Sequence, residues 1–330
     1  MRARFAPSLA GAALAGAVVL AMATVALAGS GPGSPAQIAA GVAHSVSITQ
    51  LPSNLSPSLS AASTDTAYVD TPSIRPCNTV GTTLKASSCV FGDTKGTKTM
   101  VLWGDSHAFM WFPAVNAAAK VAKWKLVALM EFGCPVADIS VWNPLTKAPY
   151  TTCDTFRKNM ISVINKLNPN LVILTESFTS QAANAGGAYN TISTAQWQAA
   201  LERTLRSLHS RSMKKVILGS TIGSSNPGLA VPSICLSAYP KNVQKCTIAD
   251  TAAQKAQRAS EAAAAKATKV PDVNVLPWLC TSAATPACSQ VIGDSSNGYR
   301  IAYYKTGHLT ETYALFLTTV LGDALKPLMK

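Results

Sequence analysis

The chain has 330 residues, with 28 Lys and Arg against 15 Asp and Glu, so its formal net charge at pH 7 is +13. This length fits one large domain or two modest ones. Hydrophobic residues make up 48% of the chain and charged residues only 13%, a composition that excludes a wholly disordered protein and predicts a sizeable core. The 20 Gly and 19 Pro follow no period, which excludes a collagen-like chain.

The N-terminus has the three parts of a secretory signal peptide. Arg2 and Arg4 precede an apolar stretch from Leu9 to Ala28, which ends in the small-x-small sequence Ala26-Leu27-Ala28. The alternative is an uncleaved membrane anchor, because about 20 apolar residues can also span a bilayer. We expect residues 1–28 to be a signal peptide and the protein to be secreted or located in the extracytoplasmic cell envelope.

Residues 29–76 are rich in Ser, Pro, Ala and Thr and show no sustained hydrophobic period. We expect an extended linker that packs on a domain formed by residues 77–330. From Lys98 onward, short apolar runs alternate with segments of helical period, as in repeated β-α units. This pattern predicts a three-layer α/β/α fold with a flavodoxin-like parallel sheet of five strands.

The five predicted strands are short and rich in Val, Ile or Leu, as strands buried on both faces require: Thr99–Trp103, Lys125–Met130, Leu171–Thr175, Lys215–Gly219 and Val273–Leu276. The predicted helices lie between and after them: His107–Val121, Asp154–Leu167, Thr194–His209, Thr247–Lys269 and Thr310–Leu325. We expect the Ala-rich fourth helix to lie on the outside of the sheet.

All eight cysteines follow residue 76, and neighbours in sequence form four couples: Cys77/Cys89, Cys134/Cys153, Cys235/Cys246 and Cys280/Cys288. An even number of Cys in an exported chain favours disulfides, and the short loops between neighbours favour these pairings among many formal alternatives. A metal site is the competing interpretation, but no C-x-x-C occurs and His is not interleaved with Cys. We therefore predict four disulfides and no metal.

Ser106 is the candidate nucleophile. It follows the first predicted strand in the sequence Gly104-Asp105-Ser106-His107 and directly precedes a predicted helix. Open α/β sheets bind ligands at the carboxyl ends of their strands, and a helix amino terminus can stabilise an oxyanion. The alternative is a structural one, since Ser and Asp are also common helix N-caps.

A nucleophilic Ser needs a general base, and His308 is the candidate because Gly307-His308-Leu309 forms a loop just before the last predicted helix. His44 lies in the N-terminal segment and His209 at the end of a polar helix. We expect His107 to point away from Ser106 along the new helix.

These residues resemble a known family: SGNH-type (GDSL-like) hydrolase domains, specifically the extracytoplasmic kind fused behind acyltransferase-3 membrane domains, here as a stand-alone chain. Five blocks carry the resemblance, in the order that the family has them. They are the linker at Leu51–Leu59, the nucleophile block at Gly104–His107, the Gly-Cys-Pro block after the second strand at Gly133-Cys134-Pro135, the third strand at Asn168–Leu174 and the His block at Tyr303–Tyr313.

The resemblance implies Ser106 as nucleophile, His308 as base, and an oxyanion site formed by the backbone N–H groups of Ser106 and Gly133. Two departures stand out. The family's third-block Asn is absent after Thr175, where Glu176-Ser177-Phe178 occurs, and Lys305 occupies the position of the family's Asp, three residues before His308.

The resulting functional hypothesis is a serine esterase or O-acyltransferase that acts on O-acyl groups of cell-envelope glycans through an acyl-Ser intermediate. A separate membrane protein is the implied acyl donor, and no cofactor is predicted. Nucleic-acid binding is not expected of an exported chain without a binding motif, whereas the net charge favours anionic surroundings. The alternative, motivated by the two departures, is a catalytically degenerate domain that binds glycan or a partner protein.

Overall fold

The computed structural model describes residues 31–78, 86–178, 181–183, 189–210, 212–224, 226–282, 287–305 and 307–330, so the predicted signal peptide, residues 1–28, lies outside the described residues. The helices in this part of the chain are α1 (Pro35–His44), α2 (Ala67–Asp70), α3 (Ser106–Ala122), α4 (Thr151–Leu167), α5 (Thr194–Ser207), α6 (Pro232–Ala238), α7 (Ala252–Thr268), α8 (Glu311–Phe316) and α9 (Thr318–Leu325). The strands are β1 (Leu55–Ser56), β2 (Val90–Gly92), β3 (Thr99–Gly104), β4 (Lys125–Met130), β5 (Trp142–Asn143), β6 (Ala148–Pro149), β7 (Leu171–Thr175), β8 (Gln181–Ala183), β9 (Tyr189–Thr191), β10 (Lys214–Leu218), β11 (Ile248–Ala249), β12 (Asp272–Val273), β13 (Ala287–Cys288), β14 (Val291–Asp294), β15 (Gly298–Ile301), β16 (Tyr303–Lys305) and β17 (His308–Leu309).

The central sheet has the strand order β12-β10-β7-β3-β4-β2. The five predicted strands are its parallel members, and numbered in chain order they follow the flavodoxin-like sequence 2-1-3-4-5. Strand β2 is an additional antiparallel edge strand, with Val90 opposite Val127. The sequence prediction omitted it because three residues ending in glycine give no distinct apolar run. The predicted α/β/α fold is confirmed, with six strands in place of five.

Helices cover both faces of the sheet. Helix α3 contacts α8 and α9 on one face, and α5 packs against α7 on the other. Helix α4 lies beside α5, since the Asn165 side chain donates to the Ser207 carbonyl at 2.9 Å. Strand residues between these layers are fully buried, among them Leu102, Leu129 and Ile173. This apolar interior fixes the sheet whose carboxyl edge carries Ser106.

Several predicted elements have different boundaries, and α4 begins at Thr151 instead of at Asp154. The last strand, β12, lies at the sheet edge. It is only two residues long because the turn at Asn274 and Pro277 lead into a 3₁₀ helix. Helix α7 begins at Ala252 instead of at Thr247, because Thr251 and Gln254 form a capping box. The last predicted helix is interrupted at Leu317 and forms α8 and α9.

The N-terminal segment packs on the domain, but it is not extended throughout. Ser34 and Gln37 form a capping box at the start of α1, and the buried side chains of Ile38 and Val42, four residues apart, lie on the face of α1 that packs against β14. Strand β1 then pairs in parallel with β15. Contacts between α1 and β14 stabilise a helix here, although the composition predicted an extended linker. None of the helices in the described ranges has the length and hydropathy needed to cross a membrane.

The structure contains the four predicted disulfide pairings, Cys77–Cys89, Cys134–Cys153, Cys235–Cys246 and Cys280–Cys288. They include all eight cysteines, so none is free. Cys134–Cys153 connects the loop after β4 to the first turn of α4. It therefore restrains the loop that contains Gly133.

Candidate active site

Ser106 is the first residue of α3 and follows the central strand β3. The turn between strand and helix is tight, and a Cβ atom at Gly104 would overlap the carbonyl oxygen of Thr175 on β7. Glycine at this position therefore allows β3 and β7 to approach closely. Because Ser106 comes just after the end of β3, it lies at the carboxyl edge of the sheet, where open α/β folds bind ligands.

Asp105 holds the turn in place. Its carboxylate accepts hydrogen bonds from the backbone N–H of His107 at 2.8 Å and of Ser177 at 2.7 Å. The side chain thus caps α3 and connects it to the loop after β7. Burial raises the pKa of Asp105 to about 7, although the two N–H donors oppose this shift. Asp105 orders the backbone around the nucleophile and does not contact the reacting hydroxyl.

His308 reaches Ser106 from the opposite end of the sequence. Its Nε2 lies 2.8 Å from the Ser106 Oγ, across 202 positions of the chain. His308 begins β17, which forms a short antiparallel hairpin with β16. The hairpin is held by two hydroxyls, since Thr221 Oγ1 donates to the Gly307 carbonyl at 2.6 Å and Thr310 Oγ1 donates to the Ile301 carbonyl at 2.7 Å. This contact has the geometry of a nucleophile and its base.

His107 does not point away from the site, so that expectation is wrong. Its ring centroid lies 5.0 Å from that of His308, with the two rings nearly perpendicular at 88°. The side chain is 4% exposed, and its Nδ1 has no hydrogen-bond partner among the described residues. Burial, followed by the charges of His308 and Lys305, lowers the pKa of His107 well below its ordinary value. The His107 imidazole is therefore uncharged at neutral pH and lines the site. The turn that Asp105 caps directs it there.

Lys305 is the hairpin partner of His308 in the β16–β17 register. Its side chain is exposed, and its ammonium lies 5.5 Å from the centroid of the Tyr304 ring. The centroid of the same ring lies 5.7 Å from that of His308. Partial desolvation lowers the pKa of Lys305. The ammonium thus contacts an aromatic ring at the position where the resembled family has a carboxylate.

The candidate oxyanion donors are the backbone N–H groups of Ser106 and Gly133. The Ser106 N–H occupies the first position of a helix of 17 residues, where intrahelical acceptors are lacking. Gly133 follows β4, whose Met130 pairs with Gly104, and it has a φ of +69°. In the described part of the chain no acceptor receives its N–H. Gly104 and Met130 place both groups at the same sheet edge.

Ser177 lies in the segment after Thr175, where the Asn of the resembled family was not found in the sequence. Its N–H is used by Asp105, so the backbone of Ser177 is not a free oxyanion donor. Its side chain, however, lines the same cleft as His107 and His308. Ser177 was not among the residues predicted from the sequence. Its place two residues after the third parallel strand is the signal that could have identified it.

A cleft of about 620 Å³ opens beside His308. Its lining includes His107, Ser177, Ser220, Thr221 and Gln257. This volume lies within the range of about 300–1,000 Å³ that is typical of ligand sites. Another cavity, of about 590 Å³, lies between α3 and α9 around Ala118 and Gly322 and includes neither Ser106 nor His308. The cleft at His308 is therefore the candidate substrate site.

In the described ranges, no three His, Cys, Asp or Glu side chains are grouped as metal ligands. The chemistry available to the site is that of a hydroxyl, an imidazole and oriented N–H groups. Such a set can transfer an acyl group through a covalent serine ester.

Comparisons with known proteins agree with this architecture. No curated protein sequence matches the chain significantly. Among solved structures, the periplasmic domain of a lipopolysaccharide acetyltransferase from Salmonella ser. Paratyphi A is similar, with a TM-score of 0.52 and 14% sequence identity, over 75% of this chain and 91% of that chain. At this identity the likeness supports the fold. The family model described as SGNH domain (fused to AT3 domains) matches residues 76–323, and the chain therefore belongs to the SGNH domain family.

Proposed function

We propose that the protein is an extracytoplasmic serine esterase or O-acyltransferase that acts on O-acyl groups of cell-envelope glycans. The observation that carries this proposal is the 2.8 Å contact between Ser106 Oγ and His308 Nε2 at the carboxyl edge of the sheet. A hydroxyl in contact with an imidazole is an activated nucleophile. The chain's membership of a family described as fused to AT3 domains supports acyl chemistry.

In the first half of the reaction, Ser106 Oγ attacks the ester carbonyl while His308 Nε2 accepts the Ser106 proton. The oxyanion that forms is stabilised by the N–H groups of Ser106 and Gly133. The C–O bond to the sugar then breaks, the imidazolium gives its proton to the leaving sugar oxygen, and the acyl group remains on Ser106. The proton is thereby returned and His308 is neutral again.

In the second half, water or a sugar hydroxyl attacks the acyl-Ser106 ester, and His308 takes the proton of the attacking oxygen. Collapse of the second tetrahedral intermediate releases the acyl group and returns the proton to Ser106. Attack by water gives hydrolysis, and attack by a sugar gives transfer. Both outcomes use the same residues.

The location and partner form part of the same proposal. Four disulfides fit an oxidising compartment, and the similar solved structure is a periplasmic domain of a lipopolysaccharide acetyltransferase. We therefore place this chain outside the cytoplasm, after export by the predicted signal peptide. A separate membrane protein that supplies acyl groups is the proposed partner, in keeping with the AT3 domains to which family members are fused.

A non-catalytic domain that binds glycan or a partner protein is the second candidate. The observation that favours it is Lys305 at the position of the family's Asp, since an ammonium cannot accept the imidazole N–H. The Ser106–His308 contact favours catalysis. The two candidates differ in whether Ser106 is chemically activated.

A fluorophosphonate probe distinguishes the two candidates, because it phosphonylates activated serines. Peptide mapping of labelled wild-type protein is expected to locate the adduct on Ser106. Labelling is expected to be absent in Ser106→Ala and strongly slowed in His308→Ala, while Ser237→Ala, an exposed serine on α6, labels like wild type. Folded wild-type protein that remains unlabelled would reject the enzyme and favour the binding domain.

A further inference from the structure

The described residues that line the cleft beside His308 include no Lys, Arg, Asp or Glu. Polar groups come from hydroxyls and amides such as Thr221, Thr247 and Gln254. Phe178 and Leu229, both partly exposed, contribute apolar surface to the same cleft. A lining of neutral hydrogen-bonding groups and apolar patches matches a ligand with hydroxyls and C–H surfaces and without charge.

Two buried carboxyl groups, Glu176 and Glu261, lie beneath the cleft lining. Ser220 lies in the lining, and its hydroxyl donates to the Glu261 carboxylate beneath it. Burial raises the pKa of Glu261 to about 7 and that of Glu176 well above its ordinary value. Gln257 donates to the Ser220 hydroxyl at 3.2 Å. The buried carboxyls thus hold protons more strongly than exposed ones, and the polar contacts above them come from neutral groups.

The net charge of the chain gives the opposite impression. A formal charge of +13 favours anionic surroundings, but the basic side chains of the described residues lie outside the cleft lining. A carboxylate or phosphate that entered the cleft would lose hydration without gaining a cationic partner there, which is unfavourable. The charge of the whole surface and the chemistry of the cleft therefore predict different ligands.

We propose that this cleft binds a neutral sugar unit, so that the site acts on uncharged O-acylated glycan residues and discriminates against uronic acids and phosphorylated sugars. This inference rests on the proposed function. Phe178 and Leu229 contact the C–H face of the sugar, and the hydroxyls and amides bind its hydroxyls. The basic surface outside the cleft attracts anionic neighbours in the envelope without selecting the reacting sugar.

The test measures acetate release from two substrates of equal length, O-acetylated manno-oligosaccharide and O-acetylated oligogalacturonate. Wild-type protein is expected to prefer the neutral substrate by at least about tenfold in kcat/KM. Ala249 offers a site for adding charge, because it lines the cleft and is exposed. Ala249→Lys is expected to reduce the preference at least about threefold and Ala249→Asp to increase it.

Ala267→Asp is the matched control, since this exposed residue lies near the far end of α7 and outside the cleft lining. Its preference ratio is expected to equal that of wild type. A wild-type preference for galacturonate, or a ratio that Ala249→Lys leaves unchanged, overturns the inference. Fluorophosphonate labelling is run on the same samples: an unlabelled Ser106 rejects the proposed function, whereas a labelled enzyme with the wrong preference rejects only the neutral-sugar inference.

Discussion

The interior of the central sheet and its carboxyl edge are built from the same strands but in opposite ways. Leu102 and Ile173 are apolar, fully buried and pack between the helical layers. Three residues later, just beyond the ends of the same strands, Asp105 and Glu176 are buried too. Asp105 accepts two backbone N–H groups and Glu176 accepts one. The interior supplies stability through apolar burial, whereas the buried polar groups at the edge order the backbone around Ser106.

The comparison predicts that the two regions respond separately to mutation, and the largest effect concerns the edge. Ser106→Ala is expected to abolish hydrolysis of small acetyl esters, because the covalent step is lost, while the melting temperature stays nearly unchanged. His308→Ala should lose activity to a similar extent, and the double variant should lose little more. Steady-state kinetics and thermal melting check this. Wild-type turnover in purified Ser106→Ala would contradict the assignment.

The interior is expected to show the reverse response. Leu102→Ala removes a fully buried side chain from β3 and should lower the free energy of unfolding by about 2–5 kcal/mol. The control is Leu145→Ala, since Leu145 is 92% exposed and its loss should change stability little. Denaturant unfolding measures both. Equal effects of the two substitutions would show that β3 does not lie in the core.

Buried carboxyls at the edge predict a pH dependence of stability. The pKa values of Asp105 and Glu261 are raised from 3.8 and 4.5 to about 7, so between these limits the folded chain binds more protons than the unfolded chain. Stability should therefore fall as pH rises from about 4 to about 7, with a slope of at most about 1.4 kcal/mol per pH unit for each group. Unfolding at several pH values measures this slope.

Glu261→Gln sharpens that prediction, because an amide does not titrate and the slope should decrease. Glu202→Gln is the control, since Glu202 lies on the solvated side of α5, where it pairs with Arg206. A slope that is identical in wild type and Glu261→Gln would show that Glu261 is not the titrating group.

The smallest expected effect concerns Lys305. A carboxylate at this position could accept the imidazole N–H and stabilise the imidazolium, so Lys305→Asp is expected to raise esterase activity at least about tenfold, or roughly 1.4 kcal/mol of barrier. Lys305→Met separates removal of the ammonium from gain of the carboxylate, and Lys95→Asp, at an exposed residue, controls for net charge. Unchanged or slower turnover in Lys305→Asp would mean that another group already orients His308.

Much of the fold was predictable because its signals are local. The four long parallel strands are apolar runs of five or six residues, and each prediction agrees with the structure to within one residue at either end. Strand β2 was missed and the two-residue β12 was predicted too long. Short edge strands take their conformation from pairing with a neighbouring strand. Helix α1 was missed because its stabilising contacts are with β14, far along the chain.

The sequence by itself predicted that Ser106 follows a buried strand, that His308 is the histidine that reaches it, and that neighbouring cysteines pair. These features depend on local hydrophobic pattern, short loop closure and the order of family motifs. Only the tertiary structure decided that His107 faces His308, that the Ser177 N–H is used by Asp105, and that an uncharged cleft lies within a chain of charge +13. The physical reason is that the direction of a side chain and the lining of a cleft depend on how segments remote in sequence pack together. Composition and periodicity do not contain that information.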